Sequence, residues 1–446
     1  MKDYLIIGAD AAGLSAAVQI KRKKPQASLR VINKGPIISY GACGIPYVLS
    51  GDIESPDKLI HFTPESFEHK RGVAVEINME AVALLPEEHI VQIKNVLTGE
   101  ITSEEYGKLL IGTGAVPTRL PFLDYEMEGI FNLHTIEDLQ RIIDYIHAKS
   151  PERAAVIGAG NIGLELAEAL DKLGLDIHIF EVKDTPVAHW PPLIQKAAQN
   201  KIREKGIRFS AETAVESVTK KGSVLKITAG GKDYETDILF SVVGTRPATD
   251  FCRDKLETLD NGAICVDDKG FTSDQDIYAA GDCATVYHKV LGRCVYWPLG
   301  SAANKMGRIA GFNMTGQDIA FPGIVGTQIF KFFELSLART GLSPEEAKKE
   351  GIEVDIVSAS RPDKASYYPG VVDADVELII DTSAGRLIGA NVVCEGNAAM
   401  TIDTAAAAIY SGMTVRDLAW FDSAYSPPYA PVWNALISAA FNALNI

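Results

Sequence analysis

Residues 154–181 read AAVIGAGNIGLELAEALDKLGLDIHIFE. The run Ala154–Ile157 is short, apolar and closed by a glycine, which predicts a buried strand. Gly158, Gly160 and Gly163 follow at the spacing G-x-G-x-x-G, then an amphipathic helix and a second strand ending at Glu181. Strand, glycine turn, helix and strand at these lengths make a βαβ unit that binds a dinucleotide. The first glycine makes the tight turn, the second admits the pyrophosphate, and the third lets helix pack on strand. Free N–H groups and the macrodipole at the helix N-terminus then face the phosphates. Glu181 is placed to accept from a ribose 2′-hydroxyl and to repel a 2′-phosphate, which favours NADH. Lys183, two residues on, keeps NADPH open. Ile162 and Gly244 are counted with this site.

A second copy opens the chain. The strand YLII (4–7) runs into Gly8-Ala-Asp-Ala-Ala-Gly13, an Ala-rich helix and the strand LRVIN (29–33). Gly8, Ala11, Ala12 and Gly13 form the phosphate turn, with Asn33 and Lys34 at the end of the second strand. Two positions depart from the pattern. Asp10 replaces the second glycine and puts a Cβ and a charge where backbone should meet phosphate. Asn33 replaces the expected acid, and bonds a ribose hydroxyl without charge assistance. Two further segments belong with this copy: KLLIGTGAVP (108–117), with Thr113 and Gly114 in its turn, and DIYAAGDCA (276–284), a strand ending in Gly281-Asp282.

These four segments, in this order, resemble those of the two-dinucleotide-binding flavoproteins. The resemblance implies FAD at the first copy, NAD(H) at the second, and Asp282 on the ribityl chain of FAD. It implies an α/β architecture of two Rossmann-like domains, the NAD domain inserted in the FAD domain. Expected boundaries are 1–115 and 246–325 for FAD, and 116–245 for NAD(H). From about residue 326 the composition shifts to short alternating strands, an Ala-rich helix at TIDTAAAAIYSGM and a Pro-rich tail. Residues 326–446 resemble the α+β dimerisation domain of disulfide-reductase flavoproteins. That domain makes a homodimer and lends tail residues to the partner's active site.

Composition narrows the partners. The chain has 446 residues, 47% hydrophobic and 23% charged, with a net charge of −15. That charge argues against a nucleic-acid binder. The N-terminal apolar run is too short for a signal peptide. No stretch reaches the roughly 18 apolar residues of a membrane span. Six cysteines, scattered without metal-ligand or disulfide spacing, point to a reducing cytoplasm.

One cysteine stands apart. In ISYGACGIPY (38–47), Cys43 lies between small residues, and the next cysteine is Cys252. The position five residues on, where a CxxxxC dithiol would have its partner, is Val48. Cys43 must therefore cycle through a mixed disulfide, persulfide or sulfenic acid. The segment is similar to the active-site motif of single-cysteine coenzyme A disulfide reductases, NADH oxidases and peroxidases, and NADH-dependent persulfide or polysulfide reductases. Pro46 suits the first turn of a helix. Cys43 at that helix N-terminus is expected to favour the thiolate, with its pKa lowered.

The same resemblance implies a substrate site and acids. Ser15, Gln19, Arg22, Ser39 and Arg71 match positions that contact coenzyme A. Asn304, Lys305 and Arg308 add polar and cationic groups, and Trp433 stands at a tail position that is lysine in some members. Ala42 departs from the Asn–Cys form of the motif, which leaves persulfide or polysulfide reduction on firmer ground than disulfide reduction. Tyr425, with Tyr367 or Tyr368, matches acids contributed by the partner subunit. Glu165 resembles a glutamate near flavin and nicotinamide. The expected activity is NAD(P)H-dependent, FAD-mediated reduction of coenzyme A disulfide, coenzyme A persulfide or polysulfide through Cys43. Oxygen or peroxide reduction through a Cys43 sulfenate is the near alternative. An electron-transfer reductase for a protein partner is the alternative of another class.

Overall fold

The computed structural model describes residues 2–445. Buried β-branched and leucine-rich runs form its central strands, and glycine turns feed helices that cover their faces. In the first sheet, β1 (Lys2–Ile7) lies between β2 (Leu29–Ile32) and β5 (Ile101–Ile111), all parallel. Helix α1 (Ala11–Lys23) connects β1 to β2. The eleven-residue β5 changes partners along its length: its first half pairs antiparallel with β4 (Ile90–Asn95), itself paired with β3 (Met79–Leu85). Between β2 and β3 lie two short helices, α2 (Ile45–Leu49) and α3 (Pro64–Arg71).

The chain then leaves this sheet at β6 (Ala115–Pro117) and returns at β15 (Thr245–Pro247), and these two strands pair antiparallel. Between them the chain builds a second, all-parallel sheet, ordered β10-β9-β8-β14-β7, and a smaller one apart from it. Its strands are β7 (Ile130–Phe131), β8 (Arg153–Ile157), β9 (Asp176–Phe180), β10 (Arg208–Ser210) and β14 (Ile238–Ser241). Helices α4 (Ile136–Lys149), α5 (Asn161–Lys172) and α6 (Pro192–Glu204) cover it, and β11–β13 (215–236) form a separate antiparallel meander. After the return, β16 (Ile277–Ala279) pairs parallel with the inner end of β5. A hairpin of β17 (Thr285–His288) and β18 (Arg293–Tyr296) then leads to α7 (Gly300–Met314), which packs on α1. One dinucleotide-binding sheet is thus inserted in another, as the order of the four glycine segments predicts.

The C-terminal third is an antiparallel sheet ordered β19-β20-β23-β22-β21. It comprises β19 (Gln328–Phe332), β20 (Leu335–Gly341), β21 (Val354–Pro362), β22 (Asp373–Asp381) and β23 (Arg386–Cys394). Helix α8 (Pro344–Lys349) precedes β21; α9 (Ala399–Ser411), α10 (Val415–Ala419) and α11 (Ala435–Leu444) bury their apolar sides with this sheet. Among the described residues no helix is long and apolar enough to cross a membrane.

Candidate active site

Three segments converge at the C-terminal ends of β1 and β16: the glycine turn into α1, the Ser39–Gly44 loop and Gly281-Asp282. They enclose a crevice of about 770 Å³. The turn into α1 requires its last glycine: a Cβ on Gly13 would lie 1.8 Å from the Gly8 carbonyl oxygen. Gly163 is held against Gly158 in the same way, at 2.2 Å. The two phosphate turns therefore share one geometry.

The strand-end residues share one too. Glu181 Oε2 accepts the Ala159 N–H at 2.8 Å, and Oε1 accepts the Lys183 N–H at 3.0 Å. Asn33 Oδ1 accepts the Ala9 N–H at 3.1 Å, while its Nδ2 donates to the Gly35 and Ile37 carbonyls. Asn33 closes its loop as Glu181 does, a task the sequence reading had not given it. Lys34 is largely exposed and pairs with Glu80 at 2.7 Å. Ile162 is exposed in the first turn of α5, and Gly244, at φ 97°, follows β14.

The residues fit FAD at the first turn. Asp282 Oδ1 is buried on the crevice wall with no hydrogen-bond partner, an acceptor in need of a donor such as a ribityl hydroxyl. Burial raises its carboxyl to about 6. Asp10 lines the same crevice. Surrounding protein raises its carboxyl to about 6, against the pull of the Tyr40 and Ala11 N–H groups, and Asp282 adds to the rise. At the second turn, a Cβ on Gly160 would meet nothing within 4 Å, and Asn161 Oδ1 is buried and unpartnered. That turn keeps room for a second dinucleotide.

Cys43 opens into the first crevice from a one-turn 3₁₀ helix, Ala42–Gly44, that continues into α2 with Pro46 in its first turn. Solvent reaches its sulfur through the crevice, although protein surrounds it on the other sides. The expectation of a lowered thiol pKa is corrected here: burial pushes it up, and the Glu165 and Asp282 carboxylates add to that. A helix of one and a half turns carries too little dipole to offset two carboxylates.

The predicted substrate residues gather around this sulfur. Ser15, Gln19 and Arg22 line the crevice from α1; Asn304, Lys305 and Arg308 line it from α7; Ser39 and Arg71 complete it. Ser15 Oγ donates to Asn304 Oδ1 at 2.9 Å, tying the two helices. Arg71 stands 5.7 Å from the centre of the Phe62 ring. His61 and Phe62 also line the crevice and escaped the sequence reading, because nothing in their spacing marks them.

Tyr367, Tyr368, Tyr425 and Trp433 do not line their own chain's crevice. All four are exposed, and the hydroxyls of Tyr367 and Tyr425 lie 3.4 Å apart. Trp433 stacks edge-on against Phe441 at 5.3 Å. Glu165 lies just past the first turn of α5, and it accepts from the Tyr47 hydroxyl at 2.9 Å. Tyr47 was missed in the sequence: its partner is 118 residues away.

Comparison with known proteins gives the family. The pyridine nucleotide-disulphide oxidoreductase family model matches residues 2–307, and the dimerisation domain of that family matches residues 327–436. A CoA-dependent NAD(P)H sulfur oxidoreductase of Pyrococcus furiosus is 34% identical over 98% of both chains. An NADH oxidase of Methanocaldococcus jannaschii is 31% identical over 99% of this chain and 98% of its own. The structure of an NAD-dependent persulfide reductase from A. fulgidus superposes with a TM-score of 0.94 at 35% identity, covering 99% of this chain and 83% of that one. With two nested dinucleotide-binding sheets, an exposed cysteine at the FAD crevice and a matching C-terminal sheet, the chain belongs to the FAD-dependent pyridine nucleotide-disulphide oxidoreductases.

Proposed function

We propose that the protein is an NAD(P)H-dependent reductase of coenzyme A-linked disulfides, persulfides or polysulfides that works through Cys43. The observation that carries this reading is the crevice itself. Cys43 shares it with Arg22, Arg71, Lys305 and Arg308, cations suited to the phosphates of such a ligand. The sulfur oxidoreductase and persulfide reductase relatives support the same class.

When bound, FAD supplies the two-electron relay between nicotinamide and sulfur. The chain's own residues do the rest. Cys43 Sγ attacks one sulfur of the substrate S–S bond: a disulfide R–S–S–R′ leaves Cys43–S–S–R and releases R′–S⁻, and a persulfide R–S–SH attacked at its outer sulfur leaves Cys43–S–SH and releases R–S⁻. Two electrons then break the S–S bond of the adduct, which returns the Cys43 thiolate and releases R–S⁻ or HS⁻. Val48 cannot offer a second protein sulfur, so the adduct waits for those electrons. Tyr367 and Tyr425, turned away from their own crevice, act at the partner subunit's sulfur in a homodimer, and Trp433 joins them there. Glu181 selects NADH over NADPH. The domain limits at 115, 245 and 325 are proposed with this reading.

The NADH oxidase relative makes oxygen or peroxide the second candidate acceptor. The test is NADH consumption with coenzyme A disulfide, coenzyme A persulfide, polysulfide, peroxide and oxygen, for wild type and Cys43→Ser. A sulfur acceptor is expected to be fastest and to need Cys43. Full turnover of Cys43→Ser with that acceptor would overturn the reading.

A further inference from the structure

Between β9 and α6 the chain makes a loop, residues 181–191, with a strained backbone. Val187 stands at φ 45°, in the left-handed region, which a β-branched side chain rarely adopts. It is buried there, and its N–H donates at 2.8 Å to the Ala159 carbonyl, inside the second phosphate turn. Glu181 Oε2 accepts the N–H of that same Ala159. The first residue after Gly158 is therefore held on both sides, by the end of β9 and by the loop.

Every carbonyl from Val187 to Trp190 has a donor. The Trp190 N–H donates to Val187 at 2.7 Å, and Gln195 Nε2 donates to Ala188 and Trp190 at 3.2 and 2.6 Å. The fourth, His189, is reached from the C-terminal sheet: Arg339 Nη1, on β20, donates to its carbonyl at 3.3 Å. Arg339 is buried, and its Nη2 donates to the Gly341 carbonyl at 3.2 Å and to Glu346 Oε2 at 2.5 Å. Its guanidinium also stands 5.8 Å from the centre of the Trp297 ring, just past β18. One side chain thus meets the C-terminal sheet, the nicotinamide-binding loop and the hairpin of the FAD-binding part.

A strained residue persists only where its surroundings over-determine it. We propose that Arg339 is a positioning residue for the nicotinamide dinucleotide. Through the His189 carbonyl it holds the loop in the conformation that brings the Val187 N–H to Ala159, and so keeps the turn from Gly158 to Gly163 in its binding shape. Arg339 does not line the Cys43 crevice, so its effect falls on the dinucleotide and not on the sulfur substrate. The inference rests on the fit of a dinucleotide to the second turn and is independent of the acceptor.

Calorimetric binding of ADP-ribose to the FAD-loaded enzyme tests this, because ADP-ribose occupies the turn and carries no electrons. Arg339→Met should weaken it about tenfold, and Arg339→Lys, which keeps the charge beside Glu346, by less. The KM for NADH should rise with it, while kcat at saturating NADH, the acceptor's KM and the flavin content stay near wild type. Val187→Gly is the deciding variant, since glycine takes φ 45° without strain. Added to Arg339→Met it should restore ADP-ribose binding, whereas losing a buried side chain would only aggravate a general loss of stability. Should Arg339→Met fail to fold, Arg339→Lys with and without Val187→Gly makes the same comparison. Wild-type ADP-ribose affinity in the Arg339 variants, or no recovery on adding Val187→Gly, would overturn the proposal. The ADP-ribose readout involves no sulfur acceptor, so failure of the reductase reading leaves it unchanged.

Discussion

At the residue scale, carboxyl groups placed against expectation set the chemistry. Asp10 stands where a glycine would serve a phosphate best, and it faces Asp282 across the crevice, with His61 as a partial offset. A carboxyl held at about 6 in the folded protein, above its unfolded value near 4, destabilises the fold where it must ionise. The flavin-free protein should therefore lose stability as pH rises from about 4 through about 6. Asp10→Asn should raise its Tm at pH 8 and leave it nearly unchanged at pH 4, in a thermal scan at both values. The same variant should bind FAD more tightly at pH 8, measured by flavin fluorescence quenching, because no charge then confronts the pyrophosphate. Asp10 was legible as a departure from the motif, and so was Asn33, but neither contact could be read from spacing. The thiol of Cys43 shows the limit more sharply: the sequence marks a helix start, while what raises the thiol is burial first and then the carboxylates of residues 165 and 282.

At the element scale, the site depends on how closely α1 and α7 cross. A Cβ on Gly307 would lie 2.1 Å from the Ala12 carbonyl oxygen, and one on Gly311 would lie 2.7 Å from that of Ala16. The crossing lets Ser15 meet Asn304 and puts both helices' polar residues on one crevice. Gly307→Ala should force the helices apart and cost at least about 1–3 kcal/mol. It should also lower the flavin-to-protein ratio after purification, read from the absorbance spectrum. The βαβ units were fully legible, because each phosphate turn, its helix and its second strand are contiguous in sequence. The α1–α7 crossing was not, since its two halves stand nearly three hundred residues apart and only the tertiary fold pairs their small residues.

At the scale of the whole molecule, Glu168 joins the nicotinamide-binding sheet to the C-terminal sheet through Lys331 and the Phe333 N–H. Only Glu168 is buried, and removing Lys331 takes one partner from its carboxylate. Lys331→Met should lower Tm, and the double variant Lys331→Met with Glu168→Gln should recover part of the loss in a double-mutant cycle. The order of domains was legible from motif order alone, but the Lys331–Glu168 contact was not, because its partners stand 163 residues apart in sequence. The exposed Tyr367–Tyr425 pair carries a last consequence at this scale. If each active centre takes its sulfur from one chain and its phenols from the other, two dead proteins can rescue one another. Cys43→Ser mixed with a Tyr367→Phe, Tyr425→Phe double variant, unfolded and refolded together, should form hybrids with one intact centre each, returning about a quarter of wild-type activity from parents that have almost none.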